Sequence, residues 1–220
     1  MNRPSRVVTV SATYGAGGSL VAPLLAERLG LPFADRLIPA DDSAPPGPGG
    51  ECLTDEERAQ TSKGRFFARL AAVTGGFGMP VPTAEHVGGG VREHVESSIT
   101  GLVASGGAVI LGRAAAVVLA GHPRSFHVRL DGPPGRRAAR AMQFESIDEE
   151  TARARLEETD RARARYVDRL YGRDATDPHL YHLIVDGTVM TSADVVDVIA
   201  AAATAFWKSI PSVSGPAGPA

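Results

Sequence analysis

The stretch from Val7 to Gly30 constrains the fold more than any other part of the chain. Its first four residues, Val7 to Val10, are all β-branched and predict a buried strand. Glycines follow at positions 15, 17 and 18, and apolar residues at helical spacing then continue to Leu29. A strand, a glycine turn and a helix in this order allow backbone N–H groups and a helix N-terminus to hold a phosphate group.

The glycine turn matches the phosphate-loop pattern G-x-x-x-x-G-K-[ST] only in part. The second glycine of the pattern falls on Gly17 and the final hydroxyl on Ser19. Ala12 occupies the position of the first glycine, and Gly18 that of the lysine. A tight glycine-rich turn that binds no ligand is therefore an alternative interpretation.

A dinucleotide site is a second alternative for the same stretch. Asp35 follows Gly15 at the distance where the acid of the dinucleotide fingerprint binds the ribose. The third glycine of that fingerprint is replaced by Leu20, whose side chain would hold the helix away from the strand. This hypothesis, a dinucleotide-dependent oxidoreductase, is therefore disfavoured.

The composition of the chain limits which binding partners and which kinds of site we expect. The length of 220 residues suits one large α/β domain or one domain with a small insert, and with 43% hydrophobic residues the chain can bury a core. The formal net charge of −2 gives no global attraction to nucleic acid or to a membrane, and we expect neither as a partner. Because Cys52 is the only cysteine, an intrachain disulfide and a cysteine-based metal site are excluded. We expect a cytoplasmic protein.

Arginine carries nearly all the positive charge. Lys63 and Lys208 are the only lysines among 23 basic residues, so arginine must supply any side-chain binding of phosphate, which it can do bidentately. Between Arg161 and Arg173 there are five arginines and a single acid, Asp168. Arginines four residues apart on a helix lie on the same face and repel each other, so the cluster indicates an anionic partner. A surface stripe of arginines paired with acids elsewhere in the protein would also explain it.

Apolar runs alternate with helical patterns along the chain, which predicts a parallel sheet of about five strands with right-handed crossovers. Residues 41–107 contain no convincing strand and are interpreted as a helical insert in a single domain of residues 1–208. Residues 209–220 are expected to be a disordered tail. Ligands bind outside the carboxyl ends of parallel strands, so we expect the polar residues after the apolar runs at one edge of the sheet. These residues are Gly15 to Ser19, Asp35, Arg36, Gly112, Arg113, Asp131 and Asp186.

Taken in order, these segments resemble the cytidylate kinase-like family of P-loop nucleotide kinases. The resemblance covers most of the chain and rests on the order and spacing of several short motifs. They are Ser11 to Ser19 with its Tyr-Gly-x-Gly-Gly core, Leu31 to Arg36, Val109 to Arg113, His127 to Leu130, Asp160 to Tyr166 and Tyr171 to Pro178. The resemblance implies a parallel core, a helical insert that binds a nucleoside monophosphate and an arginine-rich lid at residues 146–178.

The resemblance also implies ATP and Mg²⁺ as cofactors, with phosphoryl transfer to a nucleoside monophosphate, CMP or dCMP being favoured. Gly15, Ala16, Gly17, Gly18 and Ser19 would form the phosphate loop, with Ser19 as a magnesium ligand. Asp35, Arg36, Arg113 and Asp160 would line the acceptor side, and Arg161, Arg163 and Arg165 would be the catalytic arginines of the lid.

Two departures from the family pattern keep another function open. Ser19 stands where the loop of this family usually has an arginine, and Ala114 stands where cytidylate kinases have an aspartate after the Gly-Arg pair. The alternative is a catalytically weak or inactive nucleotide-binding module with a degenerate loop.

Overall fold

The computed structural model describes residues 5–34 and 84–210. The predictions for Asp35, Arg36, the first part of the insert and residues 211–220 lie outside the described residues. In the described part, five strands form one sheet. They are β1 (Val7–Ala12), β2 (Phe33–Ala34), β3 (Val109–Leu111), β4 (Ser125–Asp131) and β5 (Leu183–Asp186).

Helices alternate with the strands as the sequence predicts. They are α1 (Gly18–Leu29), α2 (Ala84–Ala104), α3 (Ala115–Val118), α4 (Pro134–Glu145), α5 (Glu149–Tyr171) and α6 (Ser192–Ser209). A 3₁₀ turn spans Pro178–Leu180. The N-cap of α5 is Asp148, whose side chain accepts the N–H of Thr151. Ser146 ends α4 in a left-handed conformation.

All neighbouring strands of the sheet are parallel, in the order β2-β3-β1-β4-β5. The strand β1 is central, with Thr9 opposite Ile110 on one side and His127 on the other. The predicted parallel sheet of five strands flanked by helices is confirmed. The turn after β1 consequently lies at the middle of the edge where the carboxyl ends of the strands meet.

Helices cover both faces of the sheet, as a parallel sheet requires. On one face α1 and α6 bury Val8 and Val10 of β1, and on the other α2 and α3 bury Val7 and Ile110. A third cluster lies outside the sheet, where the fully buried ring of Tyr14 packs between α4 and α5. Within the described residues, no helix is long and apolar enough to cross a membrane.

Candidate phosphate-binding site

The loop between β1 and α1 has the backbone conformation that its glycines predict. Gly15 and Gly17 have φ angles of 74° and 88°, in the left-handed region that side chains disfavour. A Cβ on Gly15 would lie 2.4 Å from the carbonyl oxygen of Arg137. Gly17 is the N-cap of α1 and no side chain caps the helix, so its first N–H groups are left for a ligand or water.

An ion pair from α4 and α5 holds this loop. The Oδ1 of Asp160 accepts the N–H of Tyr14 at 2.8 Å, and its Oδ2 accepts from Nη1 of Arg137 at 2.7 Å. Nη1 of Arg137 also donates to the carbonyl oxygen of Tyr14 at 2.9 Å, and its Nε to that of Gly132 at 2.8 Å. Arg137 is only 5% exposed. These hydrogen bonds therefore hold the backbone at Tyr14, at the start of the loop, without a ligand.

This contact differs from what the sequence predicts for Asp160. The carboxylate was expected on the acceptor side together with Arg113, but both of its oxygens bind partners at the phosphate loop. The physical reason is the neighbouring Arg137, a buried cation that needs a carboxylate close by.

The three predicted lid arginines lie on α5 but have different surroundings. Nη1 of Arg163 donates to the carbonyl oxygen of Ala12 at 2.7 Å, so this residue reaches the end of β1. Arg161 is exposed and lies 3.8 Å from Glu157, and Arg165 is also exposed. The structure thus brings Arg163 to the loop and leaves Arg161 and Arg165 on the outer face of the helix.

Arg113 lies at the end of β3, on the other side of β1 from β4. Arg113 and Ala114 have φ angles of 58° and 54°, values that residues other than glycine seldom adopt. Burial raises the pKa of Tyr166 on α5, and the adjacent guanidinium of Arg113 opposes that rise. On the same side, Arg92 of α2 lies over the ring of Tyr171, 5.2 Å from its centroid. Arg113 therefore faces the carboxyl-terminal half of α5.

The acids at the carboxyl ends of β4 and β5 lie side by side at the same edge, as predicted. Asp131 accepts hydrogen bonds from Thr13, Arg129 and the N–H of Gly132 at 3.0, 3.1 and 2.9 Å. Burial acts to raise the pKa of Asp131, but these donors outweigh it and hold the pKa below its ordinary value. Asp186 stands opposite Asp131 in the register and accepts from Arg136 and Thr188.

Sequence analysis did not single out Arg140, on α4, although it lies at the loop. Its Nη2 is 2.8 Å from the position that a Cβ on Gly17 would take, and it donates to Oγ of Ser192 at 3.0 Å. Its Nη1 donates to the carbonyl oxygen of Gly187. The only sequence signal was three arginines at positions 136, 137 and 140, in a helix that begins just after a strand-end aspartate.

A cavity of about 500 Å³ adjoins Arg140. It lies between α4 and the segment that leads from β5 into α6. Among its lining residues are Arg136, Arg140, Phe144, Thr188, Met190 and Ser192. It is open to solvent along one side.

A glycine loop between the central strand of a parallel sheet and a helix is an arrangement that binds phosphate groups in several nucleotide-binding folds. The sequence model of the cytidylate kinase-like family matches residues 7–188, and the chain belongs to this family. The predicted family is thereby confirmed.

The chain is also similar to individual proteins in sequence or in fold. Over 105 residues, 44% of this chain, the sequence is 31% identical to the cytidylate kinase of Methanopyrus kandleri. The matched part is 54% of that enzyme, so the chain spans about half the length of this curated relative. An uncharacterized protein from Eubacterium ventriosum has the same fold, with a TM-score of 0.62 and 20% identity over 91% of this chain and 99% of that one. Shikimate kinase from Acinetobacter baumannii aligns with a TM-score of 0.48 at 16% identity, over 94% of this chain and 96% of that one.

The Asp160 contact predicts a measurable loss of stability. Asp160→Ala removes the carboxylate that pairs with a buried guanidinium, so we expect the free energy of unfolding in urea to fall by about 2–4 kcal/mol. The control is Arg161→Ala on the next residue, whose exposed side chain should change it by less than about 0.5 kcal/mol. Equal small losses in the two variants would contradict the role of Asp160 in holding the loop.

Proposed function

We propose that the protein is an ATP-dependent nucleotide kinase that transfers the terminal phosphoryl group of ATP to a nucleoside monophosphate, with CMP or dCMP favoured. The observation that carries the proposal is the uncapped N-terminus of α1 behind a glycine loop that Arg137 and Asp160 hold in place. Membership of the cytidylate kinase-like family supports the reaction class, and the Methanopyrus relative supports cytidylate as the acceptor.

On the donor side, the N–H groups of Gly15 to Ser19 would hold the phosphates of ATP. The absence of a side chain at Gly17 lets the guanidinium of Arg140 lie against the loop, where it could share a polyphosphate with the N–H groups. Mg²⁺ prefers a few oxygen ligands from the protein and the rest from phosphates, and the hydroxyl of Ser19 would be such a ligand. The cavity beside Arg140 would take the nucleoside.

On the acceptor side, Arg113 and Arg36 would hold the phosphate of the monophosphate, and Asp35 would orient its nucleoside. Arg113 lies across β1 from the cavity, so donor and acceptor would approach the loop from opposite sides. Asp160 is better described as a positioning residue for the loop, because both of its oxygens have partners there.

In the transfer itself, an oxygen of the acceptor phosphate attacks the γ-phosphorus of ATP. The bond between that phosphorus and the bridging oxygen breaks, and ADP leaves with the bonding electron pair. Because catalysis of this reaction is mainly positioning and neutralisation of charge, arginines near the loop are its natural catalytic groups. Arg163 already reaches the end of β1, and Arg161 and Arg165 would join it by closure of the lid.

A nucleotide-binding module with little or no turnover is the second candidate. Gly18 at the lysine position and Ala114 after the Gly-Arg pair favour it, since the lysine of the phosphate-loop pattern and the aspartate that follows the Gly-Arg pair in cytidylate kinases are both absent. The two candidates share the donor site and differ only in turnover.

Nucleotide binding is the first expectation to test. ATP with Mg²⁺ at about 100 times its Kd should add about 2.7 kcal/mol of stability and raise the Tm by about 5–10 °C, whereas NAD should not. Release of ADP should then depend on a nucleoside monophosphate, fastest with CMP or dCMP. As a control, Gly17→Val should abolish the ATP-dependent shift, because its side chain meets the guanidinium of Arg140. A shift with NAD and none with ATP would refute the proposal.

The lid assignment gives a separate expectation for turnover. Arg163→Ala should lower kcat at least about tenfold with a smaller effect on ATP binding, because arginines contribute mainly to the transition state of phosphoryl transfer. Arg153→Ala, on the same helix but paired with Glu149 at 2.7 Å, is the control and should keep its kcat. If the two variants have the same kcat, Arg163 has no catalytic role.

A further inference from the structure

The chain departs from the phosphate-loop pattern at positions 12 and 18, and these two residues lie next to each other in the structure. Ala12 stands for the first glycine of the pattern and Gly18 for the lysine. A Cβ on Gly18 would lie 2.5 Å from the Cβ of Ala12, whereas carbon atoms in contact are normally 3.5–4.0 Å apart. A lysine therefore cannot occupy position 18 while position 12 carries a methyl group.

Ala12 is the main obstacle at this position. The next nearest atom to that Cβ is Cδ1 of Leu111, at 3.4 Å, close to an ordinary contact with a flexible side chain. Removing the methyl group of Ala12 would open the position without moving the backbone of β1. Ala12 and Gly18 are therefore a linked exchange relative to the phosphate-loop pattern. The methyl group of Ala12 takes the space that a side chain at position 18 would need.

Arg140 brings a positive charge to this part of the loop. Its guanidinium lies against Gly17, the residue directly before position 18. It is held there by two neutral acceptors, the carbonyl oxygen of Gly187 and the hydroxyl of Ser192, and it lies over the ring of Phe144 at 5.5 Å.

The electrostatic surroundings of Arg140 differ from those of its neighbours on α4. Arg136 has Asp186 as its carboxylate partner, and Arg137 has Asp160. Arg140 has no ion pair among the described residues, and burial lowers its pKa without a charge partner to oppose the shift. Since a partly buried cation without a counter-ion is costly, an anionic ligand would stabilise Arg140 in this position.

We propose that Arg140 supplies to the polyphosphate of a bound nucleoside di- or triphosphate the positive charge that the loop itself lacks, and that Ala12 fixes this arrangement by keeping a side chain off position 18. The inference rests on the proposed donor site, and it names the group that substitutes for the lysine there. The cation reaches the phosphates from α4 across Gly17, rather than from the first turn of α1.

Titration calorimetry with a series of ligands tests this role of Arg140. Arg140→Ala should weaken binding of Mg²⁺-ATP and of inorganic tripolyphosphate at least about tenfold, a loss typical of a charged phosphate contact, and binding of adenosine by less than about twofold. Arg140→Lys should recover part of the loss, and Arg153→Ala should bind all three ligands as the wild type does. Equal losses for adenosine and ATP would overturn the proposal, because Arg140 would then contact the nucleoside.

Tripolyphosphate separates this inference from the proposed function. If the wild type binds tripolyphosphate in an Arg140-dependent manner but does not bind ATP, the charge assignment stands and the kinase proposal fails. If the wild type binds neither, both proposals are overturned.

A rescue experiment tests the linked exchange at positions 12 and 18. In the Arg140→Ala protein, Ala12→Gly together with Gly18→Lys should restore ATP affinity to within about fivefold of the wild type, because a lysine in the first turn then reaches the phosphates. Gly18→Lys without the change at Ala12 should not restore it. Folding is checked for each variant by far-UV circular dichroism. Rescue by Gly18→Lys alone would show that Ala12 is not the obstacle. If the variant with both changes folds but does not regain ATP affinity, the proposal that Arg140 takes the place of the lysine is overturned.

Discussion

The ion pair between Arg137 and Asp160 is the interaction on which the site depends. A loop rich in glycine has high conformational entropy, and it presents its N–H groups to a phosphate only if other parts of the structure hold it. Here a buried guanidinium and a carboxylate bind the N–H and the carbonyl oxygen of Tyr14, and the ring of Tyr14 is buried between α4 and α5. The hairpin of α4 and α5 therefore fixes the loop before a ligand arrives.

This arrangement couples the loop to the predicted lid. Asp160 and Arg163 lie three residues apart on α5, so they project from the same side of the helix, and they bind the backbone at Tyr14 and Ala12, just before the loop. Any movement of α5 that brings Arg161 and Arg165 toward the phosphates must preserve or replace these two contacts. Binding of the donor and closure of the lid would thus act on the same hydrogen bonds.

Charge in the site is distributed over several elements instead of being concentrated in the loop. Position 18 carries no side chain, and the cations come from α4, α5 and the end of β3, through Arg140, Arg163 and Arg113. Arginine suits this distribution because its long side chain and forked guanidinium reach a phosphate from a distance and bind two oxygens at once. The proposed polyphosphate site therefore requires no lysine.

The fold was largely predictable, because it depends on local patterns. The β-branched run at Val7 to Val10 and the glycines after it indicate a buried parallel strand and a turn at its carboxyl end, and the structure has both. The site was only partly predictable. The partner of Asp160 is Arg137, 23 residues away, and neither helical periodicity nor motif spacing indicates that the two side chains meet. Arg140 was missed for the same reason, since its nearness to Gly17 arises only from the packing of α4 against the loop.

The most direct test of the account is a crystal structure of the protein with Mg²⁺ and a non-hydrolysable ATP analogue. The account predicts that the triphosphate accepts hydrogen bonds from the N–H groups of Gly15 to Ser19 and from the guanidinium of Arg140, with the nucleoside in the adjoining cavity and the Arg137–Asp160 pair intact. A triphosphate bound away from the loop, or a loop that binds it only after Asp160 has released Tyr14, would contradict the account.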